Sequence, residues 1–377
     1  MRSLLLKISF ANVTVDDPAI RQAAAIIRHG GLVAFPTETV YGLGGNALDR
    51  EAVLRIFEAK QRPAWDPIIV HACSLAMAKT LVRAWPEAAQ KLSACFMPGP
   101  LTLLLPKHDI IPDACTAGRE KVGIRIPAHP VALALIEAAG VPIAAPSANR
   151  FGAASPTTAA HVQRDLDGRI DAILDAGPAE IGVESTVIDI TAQPPIIYRP
   201  GGISREQIEF VIGPVRLAAR ETHGGVPPES LESPGLGIRH YAPRARLVLV
   251  DDERAMAKAI EQFVARGEHV GLMLPDGWLP VSRKVDPIMQ PGAGSPADAD
   301  LSVTEVRQCV AFSWGKFDQL PMLAARLYAG LRWLDEHQVT VILCPVPPAT
   351  GIGLAIVDRL RKAAAQPTPD PSKRSTQ

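Results

Sequence analysis

A chain of 377 residues is too long for one ordinary domain and comfortable for two. Hydrophobic residues make up 47% and charged ones 21%, a globular composition that excludes disorder across the chain. Lys+Arg and Asp+Glu both number 39, so the net charge is zero and a bulk electrostatic grip on a nucleic-acid duplex is excluded.

Met1-Arg2-Ser3-Leu4-Leu5-Leu6 starts as a signal peptide would, but Lys7 ends the apolar run too early for one. A helix is predicted over 18–29: Asp17 caps it, Pro18 suits its first turn, and Gly30-Gly31 end it. Leu32–Phe35 follows as a short buried strand. The segment Phe35–Gly45 is expected as a strand-to-helix loop, and the next helix starts near Asp49, with Val53, Ile56 and Phe57 on one face. Further apolar strands are predicted at 68–70, 101–105, 122–126, 143–145, 172–174, 187–190 and 196–198. Helical patterns lie at 74–84, 86–95, 130–139 and 157–166, and Ser204-Arg205-Glu206-Gln207 is a capping-box start for a last helix. Interleaved strands and helices over 1–212 predict one α/β domain, with some antiparallel pairs in a mixed sheet.

Residues 213–245 change character. Gly224-Gly225, Pro227-Pro228 and Ser233-Pro234-Gly235 fall close together with little apolar periodicity, so this is a long linker, and a linker of that length is expected to be functional. From 246 to 366 the pattern resumes as a smaller α/β domain: strands at 247–250, 270–274 and 339–343, helices at 253–265, 320–335 and 352–364, and a Pro/Gly/Asp/Ala loop at 285–301. A parallel sheet is expected. Residues 367–377 are expected to be a disordered tail.

Polar clusters stand at the ends of the apolar strands, where α/β proteins place ligands. The first is Pro36-Thr37-Glu38-Thr39-Val40-Tyr41-Gly42-Leu43-Gly44-Gly45, which fits neither phosphate-loop nor dinucleotide glycine spacing. A plain glycine turn explains it equally well. Lys60-Gln61-Arg62-Pro63 puts two cations at a helix end, either complementing the helix dipole or forming a phosphate clamp. Pro146-Ser147-Ala148-Asn149-Arg150 follows an apolar strand, and Ser155 beyond it reads equally as a helix cap. Arg125 lies inside the apolar strand 122–126; buried, it needs an anion, from a structural carboxylate or from a ligand. Gly182-Val183-Glu184-Ser185-Thr186-Val187 and Tyr198-Arg199-Pro200-Gly201-Gly202 complete the set.

No Ser sits in a nucleophile elbow, no H-E-x-x-H occurs, and the nine His are scattered, so neither covalent nor zinc chemistry is expected. The five Cys form no C-x-x-C pair and read as reduced cytoplasmic thiols. No run approaches a membrane span of about 20 apolar residues. Hydroxyls, amides and a few cations around a cleft suit a phosphorylated ligand plus a small zwitterion.

Taken in order, these segments resemble the threonylcarbamoyl-AMP synthase (YrdC-like) family. The resemblance is carried by Pro-Thr-Glu-Thr-Val-Tyr-Gly-Leu-Gly (36–44), Lys-x-Arg-Pro (60–63), Pro-Gly-Pro-Leu-Thr (98–102), Arg-Ile-Pro (125–127), Pro-Ser-Ala-Asn (146–149), Glu-Ser-Thr-Val (184–187) and Arg-Pro-Gly (199–201). Ser233-Pro234-Gly235, Arg239-His240-Tyr241-Ala242-Pro243 and Gly353-Leu354-Ala355-Ile356 with Arg359-Leu360 resemble the family's long form. The resemblance implies a YrdC-like twisted mixed sheet followed by a Rossmann-like domain. It also implies formation of threonylcarbamoyl-AMP from L-threonine, bicarbonate and ATP with Mg²⁺, for a downstream tRNA threonylcarbamoyl transferase. Thr39, His71, Arg125, Ser185 and the backbone near Ala145 would hold threonine. Lys60, Arg62, Asp66, Lys121, Ser147, Asn149, Ser155 and Arg199 would line the nucleotide site, with Lys60 and Arg62 the catalytic cations and Tyr241 a lid. No protein metal site is implied. Asp66 stands where the family usually carries Asn, and its charge needs a cation beside it; Lys121 is also atypical at its position. The C-terminal domain shows no catalytic cluster and is expected to brace the lid. Two other readings fit less well. Carbamoyl-phosphate-dependent transferases of related fold usually add zinc fingers, for which this chain has no Cys pairs. A non-catalytic double-stranded-RNA-binding module would be more basic; only a weak tRNA contact is expected.

Overall fold

The computed structural model describes residues 2–9, 13–218, 241–278 and 309–365. Most of the expected lid (219–240), the loop at 285–301 and the tail from 367 lie outside them. The first unit begins with β1 (Leu4–Lys7), α1 (Pro18–Arg28), β2 (Val33–Phe35), β3 (Gly42–Asn46) and α2 (Arg50–Lys60). β4 (Val70–His71), α3 (Leu75–Thr80), α4 (Glu87–Phe96), β5 (Leu101–Pro106), α5 (Asp113–Thr116) and β6 (Lys121–Arg125) come next. α6 (Pro130–Ala139), β7 (Ile143–Ala144), α7 (Ala159–Leu166), β8 (Ala172–Asp175), β9 (Thr186–Asp189), β10 (Ile196–Arg199), α8 (Arg205–Ile212) and β11 (Arg216–Leu217) complete it. Its eleven strands form one mixed sheet in the order β1-β8-β2-β3-β7-β4-β6-β5-β9-β10-β11.

The helix starts follow the capping chemistry of the sequence. Asp17 accepts from the Ala19 amide, Asp49 from the Glu51 amide, and Ser204 with Gln207 closes a reciprocal capping box. Alternation along β2 sends Val33 and Phe35 to one face and Leu32 and Ala34 to the other. On the first face they meet Ile20 and Ile27 of α1 and Val131 and Leu135 of α6; on the second, Val53 and Ile56 of α2, Leu92 of α4 and Val162 of α7. Helices therefore cover both faces.

One segment departs from expectation. Gly42–Asn46 is not loop but strand β3, antiparallel to β2 with Ala34 opposite Leu43. At Gly44 an added Cβ would stand 2.8 Å from both Ile143 Cγ2 and Phe35 Cε1. The glycine is there for close packing across the sheet, and glycine's low strand propensity hides the strand from a propensity reading.

The second unit contains β12 (Arg246–Val250), α9 (Glu253–Val264), β13 (Val270–Pro275), β14 (Cys309–Gly315), α10 (Leu320–Glu336), β15 (Val341–Pro345) and α11 (Gly353–Ala364). Its four strands, ordered β12-β15-β13-β14, are all parallel. It docks on the first unit through one continuous apolar cluster that joins Val40, Ala154, Val183 and Tyr241 to Leu323, Leu327 and Tyr328 of α10. Gly182, at φ +75°, makes the closest approach: a Cβ there would stand 2.4 Å from the Ala324 carbonyl oxygen. Arg332 adds an ion pair to Asp165 at 2.6 Å and donates to the Ala154 and Ser155 carbonyls.

Candidate active site

The middle strands of the first sheet converge on a cavity of about 540 Å³, part of it open to solvent. Thr37, Thr39, Arg62, Ile69, His71, Arg125, Ala145, Ser147, Glu184, Ser185, Arg199 and Tyr241 are among the residues that line it. Residues separated by up to two hundred positions thus meet where β4, β6, β7, β9 and β10 end or begin.

Register explains the pairing of His71 with Arg125. β4 and β6 are parallel neighbours, and these two residues are directly opposite each other. Arg125 is 4% exposed and answers its charge within the protein: Nη2 lies 2.8 Å from Glu38 Oε1 and donates to Thr39 Oγ1 at 2.9 Å, while Nε donates to the Gly99 carbonyl at 3.2 Å. The structural carboxylate foreseen as one possibility is therefore present, and the guanidinium still lines the cavity. Burial, reinforced by the Arg125 charge, lowers the His71 pKa to about 3. Its ring is neutral near pH 7, and its buried Nδ1 has no protein hydrogen bond among the described residues.

Ser185 is fixed from two sides. Its hydroxyl lies 2.8 Å from Thr102 Oγ1 and accepts from Arg199 Nη2 at 3.0 Å, and its carbonyl accepts from Arg199 Nε at 3.1 Å. All five residues expected around threonine (Thr39, His71, Arg125, Ala145 and Ser185) line this cavity.

The expected nucleotide residues divide. Arg62, Ser147, Arg199 and Tyr241 line the cavity. Lys60 does not: it is 1% exposed, and its Nζ donates to the Ser147 and Asn149 carbonyls, each at 2.5 Å. Lys60, expected with Arg62 as a catalytic cation, thus stands behind the cavity wall with its ammonium on two backbone carbonyls. Burial and the neighbouring Arg62 charge hold its pKa well below the ordinary lysine value. Asp66 is 1% exposed and faces Arg62 at 3.0 Å, so the cation that its extra charge requires is its own neighbour. Asn149 donates to the Arg150 and Ala153 carbonyls, and Ser155 donates to Glu184 Oε1 at 2.6 Å; both stand behind the cavity wall. Lys121 lies apart, paired with Asp189 at 2.6 Å on the rim of a second cavity of about 920 Å³. The two cavities share Pro67, Ile68 and Ile69, so they adjoin.

Tyr241 is the first described residue of the linker's second end (241–245) and stands 1% exposed against the cavity. It adopts φ +64°, a region uncommon for a bulky side chain, and its backbone amide neighbour Ala242 donates to the Gly152 carbonyl at 2.8 Å. Burial and the Glu184 charge raise its hydroxyl pKa to about 12, so it stays protonated. Sequence reading assigned no role to Thr37, Glu38, Thr102, Tyr328 or Arg359. Thr37, Glu38, Thr102 and Arg359 stood inside conspicuous motifs, which is the one signal that could have found them; Tyr328 had none.

The family model described as telomere recombination matches residues 25–201, and that of the threonylcarbamoyl-AMP synthase C-terminal domain matches residues 203–365. The threonylcarbamoyl-AMP synthase of Pyrococcus abyssi is 45% identical over 93% of this chain and 95% of its own length. The chain belongs to the threonylcarbamoyl-AMP synthase family. The Bacillus subtilis synthase is 44% identical over 93% of this chain and 94% of its own. In three dimensions the Pyrococcus abyssi synthase Sua5, crystallised with L-threonine, superposes with a TM-score of 0.82 at 41% identity, covering 96% of this chain and 98% of that one. The synthase fold of that structure and the two sheets described above are therefore the same architecture. Among the described residues, no helix is long and apolar enough to cross a membrane, and no three His, Cys, Asp or Glu are grouped as a metal site.

Proposed function

We propose that this chain makes threonylcarbamoyl-AMP, diphosphate and water from L-threonine, bicarbonate and Mg²⁺-ATP. The observation that carries the reading is the meeting of two kinds of group in one cavity. Arg125, Thr39, neutral His71 and Ser185 suit a small zwitterion with a hydroxyl; Arg62, Arg199 and Ser147 suit phosphate. The relative solved with L-threonine and the synthases more than 40% identical support the same assignment.

In this reading the threonine carboxylate faces Arg125, whose position is set by Glu38, Thr39 and Gly99. The buried Nδ1 of His71 offers an acceptor to the hydroxyl or the amine. The threonine amine takes up bicarbonate with loss of water, giving a carbamate. A carbamate oxygen attacks the α-phosphorus and the bond to diphosphate breaks. No side chain need form a covalent bond; positioning and charge neutralisation by Arg62 and Arg199 carry the catalysis. Magnesium, bound with the nucleotide, would supply charge neutralisation at the phosphates beside Arg62 and Arg199. The adjoining cavity past Ile69, with Lys121 on its rim, offers room for the base. Tyr241 closes over the reactants and keeps water from the carbamate. A downstream transferase would carry the product to tRNA.

The test is diphosphate release from Mg²⁺-ATP with L-threonine and bicarbonate supplied together and singly, with carbamoyl phosphate and serine as substitutes. Release that requires both threonine and bicarbonate is the expected result. Release driven by carbamoyl phosphate alone would overturn it, and no release from a folded protein would point to binding without catalysis.

A further inference from the structure

Among the described residues that line the cavity, Glu184 is the sole carboxylate. A bare carboxylate beside an arriving triphosphate would oppose its entry. The Glu184 carboxylate is not bare. It accepts from Ser155 Oγ at 2.6 Å, from Tyr328 Oη at 3.1 Å on both oxygens, and from Arg359 Nε at 2.7 Å. Tyr328 and Arg359 come from α10 and α11, so the second unit supplies two of the three groups that satisfy it. Burial alone would favour protonation of this carboxyl, but the Arg359 and Arg199 guanidinium groups outweigh it and hold its pKa below the ordinary value.

Arg359 does more than pair. Its Nη2 donates to the Pro200 carbonyl at 2.9 Å, beside Arg199, and its guanidinium lies over the Tyr241 ring at 5.0 Å. The Tyr241 and Tyr328 rings are 5.9 Å apart. One buried side chain thus touches the cavity's carboxylate, the turn carrying its arginine, and its covering tyrosine.

We infer that Arg359, assisted by Tyr328, is a positioning residue of the adenylation step: it neutralises Glu184 so that phosphate can enter beside it, and it seats Tyr241 over the cavity. The inference rests on the synthase reading above. It makes the second unit part of the catalytic apparatus through charge, which differs from a purely mechanical brace. A mechanical ion pair can be exchanged for a neutral pair of similar shape or broken, with consequences for stability alone; a charge-balancing pair cannot be broken without consequences for ATP.

The experiment measures kcat and KM for ATP and for threonine in the full chain, with folding of each variant checked by thermal unfolding. Arg359→Gln takes from Glu184 its ion-pair partner and leaves Arg199 as the other cation acting on it; kcat/KM for ATP should fall about 100-fold, the scale of a lost positioning contact, with KM for ATP rising more than KM for threonine. Adding Glu184→Gln should restore KM for ATP to within about tenfold of wild type, because no carboxylate is then left without its ion-pair partner. Arg359→Lys keeps the charge and should stay nearer wild type than Arg359→Gln. An Arg359→Gln enzyme with normal KM for ATP overturns the inference, as does a double variant no better than the single one. If Arg359→Gln does not fold, the neutral double variant carries the test, and a folded double variant with KM for ATP raised about 100-fold overturns it. Wild-type release that does not require threonine and bicarbonate would instead be the failure of the synthase reading.

Discussion

Around the eleven-stranded sheet, the side chains that face the cavity stand at strand ends and in the loops beyond them, as Thr39, Arg125, Ser147, Ser185 and Arg199 do. On the other side of the docking surface the contributing residues, Tyr328 and Arg359, sit mid-helix in α10 and α11. The first kind interrupts an apolar pattern with polar residues and glycines, so it stands out. The second kind hides, because an arginine or tyrosine within an amphipathic helix looks like any other residue of that helix. Chemistry at a strand end announces itself in the sequence; chemistry delivered across an interface does not.

The comparison can be tested from both sides. The largest effect is expected within the first sheet, at Arg125. Arg125→Ala leaves Glu38 buried without its cation and should cost about 3–5 kcal/mol of stability in denaturant unfolding, together with loss of threonine binding by calorimetric titration. Adding Glu38→Gln should return stability without returning threonine binding. Threonine binding by the Arg125→Ala variant at wild-type strength would refute the assignment. Next comes the interface itself. Gly182→Val drives a side chain into the α10 backbone at a positive φ and should cost about 2 kcal/mol or more; an unchanged melting temperature would mean that the two units do not dock as described.

A third effect depends on pH. His71 is held at about 3 against an ordinary 6.5, so the unfolded chain gains a proton there while the folded one does not. Stability should therefore fall as pH drops from about 6.5 toward 3, and not above that window. His129 and His161, buried and lowered to about 4 and about 3, act with the same sign. His71→Gln should flatten the slope of stability against pH relative to wild type, and identical slopes would exclude a His71 contribution. The smallest effect is expected at Asp66→Asn, which frees Arg62 of its charge partner while leaving its hydrogen bonds to the Asp66 and Pro67 carbonyls. KM for ATP should fall by less than about tenfold; a rise would mean that Asp66 orients Arg62 for the phosphate.

Most of the framework was legible because it obeys local rules. α1 and α2 begin at their capping residues, α6 ends at Gly140, and α8 opens on its capping box. Four strands escaped prediction: β14 (Cys309–Gly315) is a buried apolar run that carried the usual signal, whereas β1, β3 and the two-residue β11 lack it. β3 is glycine-rich, and β1 is a four-residue strand exposed along most of its length. β4 and β15 start two residues later than the apolar runs suggested. In the site, Arg125 was legible as a buried cation in need of an anion, but its partner Glu38 lies 87 positions away and only register and topology join them. That the Lys60 ammonium lies on the Ser147 and Asn149 carbonyls was not legible, because sequence gives no clue to backbone partners. Arg359 stood within a recognisable segment, yet nothing local tells that its guanidinium crosses to Glu184.

The contact between Glu184 and Arg359 spans 175 residues of chain. On a ribosome the first sheet can emerge and form its cavity long before α11 has been synthesised. Until that last helix docks, the cavity has its arginines but also an unneutralised carboxylate and an unseated Tyr241. A nascent chain should therefore take up nucleotide poorly, and the active site is finished by nearly the last segment of the described chain to be made.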